Sequence, residues 1–140
     1  MSRAVEESNR RMLRVRDLMD RNYAQPLDLA ALAASVHVSE SHLIRKFRST
    51  FGETPHRYLQ RRRIERAMFL LRETDDSISR ICIDVGFSSL GAFSRTFSEI
   101  IGVSPSAYRL RAERVSTPSS HSMTYTRPSS FGETKGARAS

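Results

Sequence analysis

The chain has 140 residues, and 23 lysines and arginines against 15 aspartates and glutamates give it a net charge of +8 and a sequence pI of about 10.7. This length predicts one modest domain that buries its own core, and this charge favours a polyanionic partner, most simply nucleic acid. The single cysteine, Cys82, excludes an internal disulfide, and no apolar run approaches the ~20 residues of a membrane span.

An amphipathic helix is predicted from about Val5 to Tyr23. Apolar residues recur at helical spacing on one of its sides, while arginines and acids fill the rest. Two roles are open for this helix, packing against the unit that follows or dimerisation. The apolar positions are Met12, Val15, Leu18, Met19 and Tyr23.

A short helix, a tight turn and a second helix follow. Asp28 and Ser39 are the predicted N-caps of helices from about 29 to 36 and from 40 to 51, and Gly52 is the predicted terminating glycine. Helical spacing gives the second helix one apolar and one exposed face. The apolar face holds Leu43, Phe47 and Phe51, and the exposed face holds Ser41, Ile44, Arg45 and Arg48.

The next helix, predicted from Pro55 to about Glu73, carries a run of arginines. Consecutive helical positions point in different directions, so these arginines do not form one patch. We expect one of them to form an internal ion pair with Glu65 or with an acid of the N-terminal helix. Arg61 and Arg62 remain open as phosphate contacts.

The pattern of the first unit returns between Ser88 and Tyr108. Positions after the cap Ser39 recur 50 residues later, and positions before it recur 49 residues later. The sequence therefore predicts a duplication in which Ser88 matches Ser39 and one extra residue lies near Ser89 to Gly91. The second copy is expected to bury Phe93, Phe97 and Ile101 and to expose Gly91, Ser94, Arg95 and Ser98.

Both copies end in the same way. The pairs Thr54–Pro55 and Ser104–Pro105 each predict an N-cap followed by proline at the first helical position. The last helix should start at Pro105 and fade after Arg111. Beyond it the composition turns to Ser, Thr, Pro, Gly and Arg, which predicts a disordered basic tail over 113–140.

A helix, a turn and a second helix with an exposed polar face form the sequence pattern of a helix-turn-helix. The residues that carry a resemblance to a known family lie in both copies and in the helix that joins them. In the first copy and the joining helix they are Leu32, Ala33, Ser39, His42, Leu43, Arg45, Phe47, Phe51, Gly52, Pro55, Tyr58, Arg63, Ala67, Leu70 and Leu71. In the second copy they are Ile81, Cys82, Val85, Gly86, Phe87, Ser88, Phe93, Ser94, Arg95, Phe97, Gly102, Ser104, Pro105, Tyr108 and Arg109.

In these residues the chain resembles the DNA-binding domain of the AraC/XylS family of bacterial transcription regulators, over about 27–109. The resemblance implies an all-α domain of about seven helices, in which two helix-turn-helix subdomains are joined by a long linker helix. It implies a sequence-specific transcription regulator, more often an activator. It also implies that Arg63 is the structural arginine of the linker helix.

Arg45 is the strongest candidate for reading a base, since a guanidinium can donate two hydrogen bonds to guanine, and Arg95 matches it in the second copy. His42 has a second interpretation as a packed or water-bonded residue, and Ile44 could meet a thymine methyl. Leu90 and Gly91 stand where the family often has polar readers, so we expect the second unit to contribute mostly phosphate contacts. The predicted DNA-contacting residues are Ser41, His42, Ile44, Arg45, Arg48, Ser89, Leu90, Gly91, Ser94 and Arg95.

The expected organisation is a DNA-binding domain over 1–112, with a first unit at about 5–54, a linker helix at 55–73 and a second unit at about 77–112. The linker helix would be roughly 28 Å long, close to the ~34 Å between successive major grooves. A monomer could therefore read an asymmetric site. RNA polymerase is a possible further partner, and the expected location is the cytoplasm, at the nucleoid.

Catalysis is not expected, because no nucleophile signature or phosphate loop appears and the four histidines lack the spacing of a metal site. No cofactor is expected. If Met1 is the native start, no effector domain precedes this domain, and abundance, a partner or the tail controls activity. The alternative function is a cationic helical adaptor that binds other proteins and only weakly attracts DNA.

Overall fold

The computed structural model describes residues 2–116, and in this range it contains seven α-helices and no strand. The predicted all-α class is therefore confirmed. The predicted tail lies outside the described residues, except that α7 includes its first residues and ends at Ser116, beyond Arg111. The helices are α1 (Arg3–Arg21), α2 (Leu29–Ser35), α3 (Glu40–Phe51), α4 (Pro55–Glu73), α5 (Ile78–Asp84), α6 (Leu90–Ile101) and α7 (Pro105–Ser116).

The chain divides into two compact units, and the boundary falls within α4, after Arg62. In the first unit, α1, α2, α3 and the first half of α4 enclose an apolar core. Leu18 and Tyr23 of the predicted apolar side are only half-buried, because they lie at the edge of this core. The buried residues are Met12, Val15, Met19, Ala33, Val36, Leu43, Phe47, Tyr58 and Leu59.

Side-chain caps begin the helices of the first unit at the predicted residues. The Asp28 carboxylate accepts a hydrogen bond from the Ala31 amide at 3.0 Å, and the Ser39 hydroxyl accepts one from the His42 amide at 3.1 Å. Each cap satisfies a backbone donor that has no partner within its helix. Gly52 ends α3 with a left-handed φ of 83°.

The two tight turns differ in length by one residue, and the extra residue is Ser88. Up to Phe87 the backbone hydrogen bonds of the second copy repeat those of the first at a shift of 49, except at Val85, and from Ser89 onward they repeat at a shift of 50. The Ser89 hydroxyl accepts from the Ala92 amide at 3.1 Å. The prediction that Ser88 matches the cap Ser39 was wrong, because only the residue directly before α6 places its hydroxyl at that amide.

The second unit has its own core and repeats an aromatic contact of the first. The rings of Phe97 and Tyr108 lie 5.7 Å apart at 67°, and those of Phe47 and Tyr58 have the same separation and angle. Cys82 is buried where the first copy has Ala33, and burial raises the pKa of its thiol. The buried residues of this core are Ile64, Ala67, Leu71, Ile81, Cys82, Val85, Phe87, Phe93, Thr96 and Phe97.

Gly102 provides a direct test of the backbone geometry that ends α6. Its φ is 94°, and a Cβ at this position would meet nothing within 4 Å. We expect Gly102→Ala to lower the free energy of unfolding of the second unit by about 1–2 kcal/mol, the cost of a left-handed residue that has a side chain. Thermal unfolding measures this loss. Gly91→Ala, in the same helix, is the control, and it should raise the stability slightly. An equal loss of stability in Gly91→Ala would show that the left-handed backbone at Gly102 is not the cause.

Candidate nucleic-acid interface

The outer face of α3 carries all five of the predicted DNA-contacting residues of the first unit. Ser41, Arg45 and Arg48 are exposed, whereas His42 and Ile44 are half-buried at the margin of the face. Beneath them Leu43 and Phe47 are completely buried. The structure therefore brings these five predicted residues onto one surface of one helix, and its apolar side holds that helix in place.

A polar network between α1 and α4 supports α3 from below. The Tyr58 hydroxyl donates a hydrogen bond to Asp20 Oδ1 at 2.6 Å, and Arg62 Nε donates to the same oxygen at 3.2 Å. Burial, followed by the hydrogen bond to Asp20, raises the pKa of Tyr58 to about 12. The Tyr58 ring packs on Phe47 of α3. The network therefore fixes the position of a ring that contacts the buried side of α3.

The arginine run of α4 is divided among different partners. Arg62 pairs with Asp20, an acid of the N-terminal helix, and Arg61 Nη2 pairs with Glu53 at 2.6 Å. An internal ion pair from this run was expected, and the resemblance assigned it to Arg63; the pair to that helix is formed by Arg62, which had been left open as a phosphate contact. The guanidinium of Arg63 lies 5.9 Å from the centroid of the Phe87 ring, and burial lowers its pKa.

The outer face of α6 is less charged than that of α3. Gly91 and Arg95 are exposed, Leu90 is 45% exposed, and Ser94 is half-buried. The hydroxyl of Ser89 is bonded to the helix as its cap. Arg95 is the only cation of α6 and Glu99 its only acid, whereas α3 has three cations, Arg45, Lys46 and Arg48, and one acid, Glu40.

A polar contact also fixes the aromatic residue that packs against the buried side of α6. Arg72 Nη1 donates a hydrogen bond to the Tyr108 hydroxyl at 2.7 Å, and the ring of Tyr108 packs on Phe97 of α6. Arg109 donates to the backbone carbonyls of Leu71 and Thr74, both at 3.1 Å, and so caps the end of α4. Sequence reasoning expected an ion pair to α1, but it identified neither Asp20 nor Tyr58 as its members, and it did not find the contacts of Arg72 and Arg109, because the partners are 35 or more positions apart.

Neither a metal centre nor a membrane span occurs in the part of the chain that the structure describes. Residues 2–116 contain no group of three or more histidines, cysteines, aspartates or glutamates that could hold a metal ion. No helix among them is long and apolar enough to cross a membrane.

Two units with a short helix, a tight turn and an amphipathic second helix define a helix-turn-helix DNA-binding protein. The family described as a helix-turn-helix domain matches residues 32–111, which is more than half of the chain. The chain belongs to the AraC/XylS family of bacterial transcription regulators, through the DNA-binding domain of that family.

Relatives of known sequence are transcription regulators. The MmsAB operon regulatory protein of Pseudomonas aeruginosa is 38% identical over 88 residues, which are 63% of this chain and 29% of that protein. An uncharacterised helix-turn-helix regulator of Staphylococcus aureus is 38% identical over 93 residues, 66% of this chain and 12% of that protein. The chain thus spans less than a third of the length of these relatives.

Solved structures show the same fold. A regulator with an AraC-type DNA-binding domain from Chromobacterium violaceum superposes with a TM-score of 0.69 at 32% identity, over 75% of this chain and 94% of that chain. The DNA-binding domain of the global transcriptional factor AdpA, solved in complex with a target DNA, has a TM-score of 0.69 at 30% identity over 76% of this chain and 97% of its own.

Proposed function

We propose that this chain binds a specific, asymmetric DNA site as a monomer, with α3 and α6 in successive major grooves, and that it regulates transcription from there. The observation that carries this proposal is the matched placement of Arg45 and Arg95, each exposed on the outer face of a helix whose other side is buried. The helix α4, which runs from one unit into the other, has 19 residues and a length of roughly 28 Å, near the ~34 Å repeat of the groove.

The asymmetry of the site follows from the difference between the two recognition helices. Three cations lie on α3 and one on α6. A duplex bound by both helices would therefore be read more strongly, and with more phosphate contacts, at the element under α3. Two helices with different side chains contact different base sequences, so their combined site is not a palindrome.

The remaining parts of the proposal rest on family membership. The DNA-binding domain covers 1–112, with a first unit at about 5–54, a linker helix at 55–73 and a second unit at about 77–112. The ten residues predicted from the sequence form its DNA-contacting surface. We assign activation as the direction of regulation, RNA polymerase as the protein partner and the cytoplasmic nucleoid as the location.

A second candidate function is a protein-interaction adaptor that attracts DNA only weakly. The observation that favours it is the outer face of α6, which combines one arginine with a leucine that is 45% exposed. An adaptor would bind duplex DNA according to charge alone.

Selection of bound duplexes from a random library separates the two functions. We expect enrichment of one asymmetric site with two short elements about one helical turn apart, bound by a monomer. The affinity for that site should fall steeply with salt, since each phosphate contact contributes a slope of about −0.9 in log K against log salt. Scrambled duplex of equal length is the control. If no sequence is enriched and both duplexes bind alike, the adaptor is the better account.

A further inference from the structure

The first helical position of the two recognition helices differs in chemistry. In α3 this position holds Glu40, an acid that the positive end of the helix favours. In α6 it holds Leu90, with 45% of its surface exposed. The second unit therefore lacks the favourable negative charge at the start of its recognition helix and has an exposed apolar side chain there instead. This end of the helix contacts base edges in helix-turn-helix proteins.

Gly91 lies directly after Leu90 and one helical turn before Arg95. A Cβ at Gly91 would lie 3.4 Å from Arg95 Nη1, so the guanidinium lies over the space that a side chain at 91 would occupy. Without that side chain, the backbone of the first turn of α6 can also approach another molecule closely. The result is a small patch of Leu90, Gly91 and Arg95 that is apolar on one side and cationic on the other.

The major groove offers one apolar group in an unmodified base pair, the 5-methyl group of thymine. Phosphate oxygens need cations or hydrogen-bond donors, and α6 has a single cation. We propose that the second unit reads thymine through contact of Leu90 with this methyl group, while Arg95 contacts a neighbouring base or phosphate. This inference rests on the proposed function and replaces the expectation that the second unit mainly grips phosphates.

Deoxyuridine tests this directly, because it differs from thymidine only by the missing methyl. In the selected site, each thymine of the element read by α6 is replaced in turn, and the Kd is measured by fluorescence anisotropy at fixed salt. We expect one or two positions to lose about fourfold in affinity, the value of burying one methyl-sized group. The Leu90→Ala protein should bind the thymine and uracil duplexes equally.

Leu110→Ala is the matched control, because Leu110 is 51% exposed on α7 of the same unit. This variant should keep the wild-type response to uracil. The inference is overturned if the wild-type protein ignores every thymine-to-uracil change, or if Leu90→Ala keeps the same loss. Specific binding of the unmodified duplex in those cases leaves the proposed function standing, whereas failure to select any site overturns both.

Discussion

Replacing Phe47 by alanine is expected to lower the free energy of unfolding of the first unit by about 3–5 kcal/mol, the usual cost of deleting a large buried side chain. Phe47 is completely buried, and its ring lies 4.7 Å from that of Phe51 and 5.7 Å from that of Tyr58. A unit of this size has a stability of only about 3–9 kcal/mol. The substitution should therefore populate a state in which α3 is no longer packed against the core of the first unit.

Hydrogen exchange measures this outcome helix by helix. Amides of α1 and α3 should lose protection, while amides of α5 and α6, whose core is separate, should keep it. Leu13→Ala is the control in the same unit, because Leu13 is 47% exposed and its removal should cost little. Equal loss of protection in α5 and α6 would mean that both units unfold together and would contradict the prediction.

The helices and their ends could be predicted because their causes are local. An Asp28 or Ser39 side chain caps an amide three residues away, and Gly52 ends α3 through its own φ. The error at Ser88 also has a local cause. Two adjacent serines precede α6, and a serine at either position could cap the helix. In α3 the first buried residue, Leu43, lies four positions after the cap Ser39, and the same spacing counted back from Phe93, the first buried residue of α6, indicates Ser89.

The supports beneath the recognition helices depend on tertiary contacts instead. Asp17 and Asp20 both lie on α1, and nothing in the local sequence shows that Arg62 and Tyr58 meet at Asp20 while Asp17 pairs with Arg21. The outer faces were easier to predict, since helical spacing alone separates buried from exposed positions. What a face binds depends on chemistry that spacing does not specify, as Leu90 illustrates.

Arg45→Ala is expected to weaken binding of the selected site by about 5- to 150-fold, which corresponds to one bidentate contact with guanine worth about 1–3 kcal/mol. Arg45 is exposed on the outer face of α3, above the completely buried Leu43 and Phe47. The loss should appear in affinity and not in folding, because removing an exposed side chain leaves that core intact. Anisotropy with selected and scrambled duplexes, beside thermal unfolding, measures both quantities.

Arg45→Lys separates base reading from charge. Lysine keeps the positive charge but lacks the planar pair of donors that matches guanine. If Arg45 reads a base, the lysine variant should bind scrambled duplex like the wild type and still lose discrimination between the two duplexes. If Arg45 only contacts phosphate, lysine should restore both affinities, and the role of base reader would pass to another residue of α3. Base contacts specify a site and phosphate contacts only position the protein on it, so this comparison decides whether the first unit chooses the sequence.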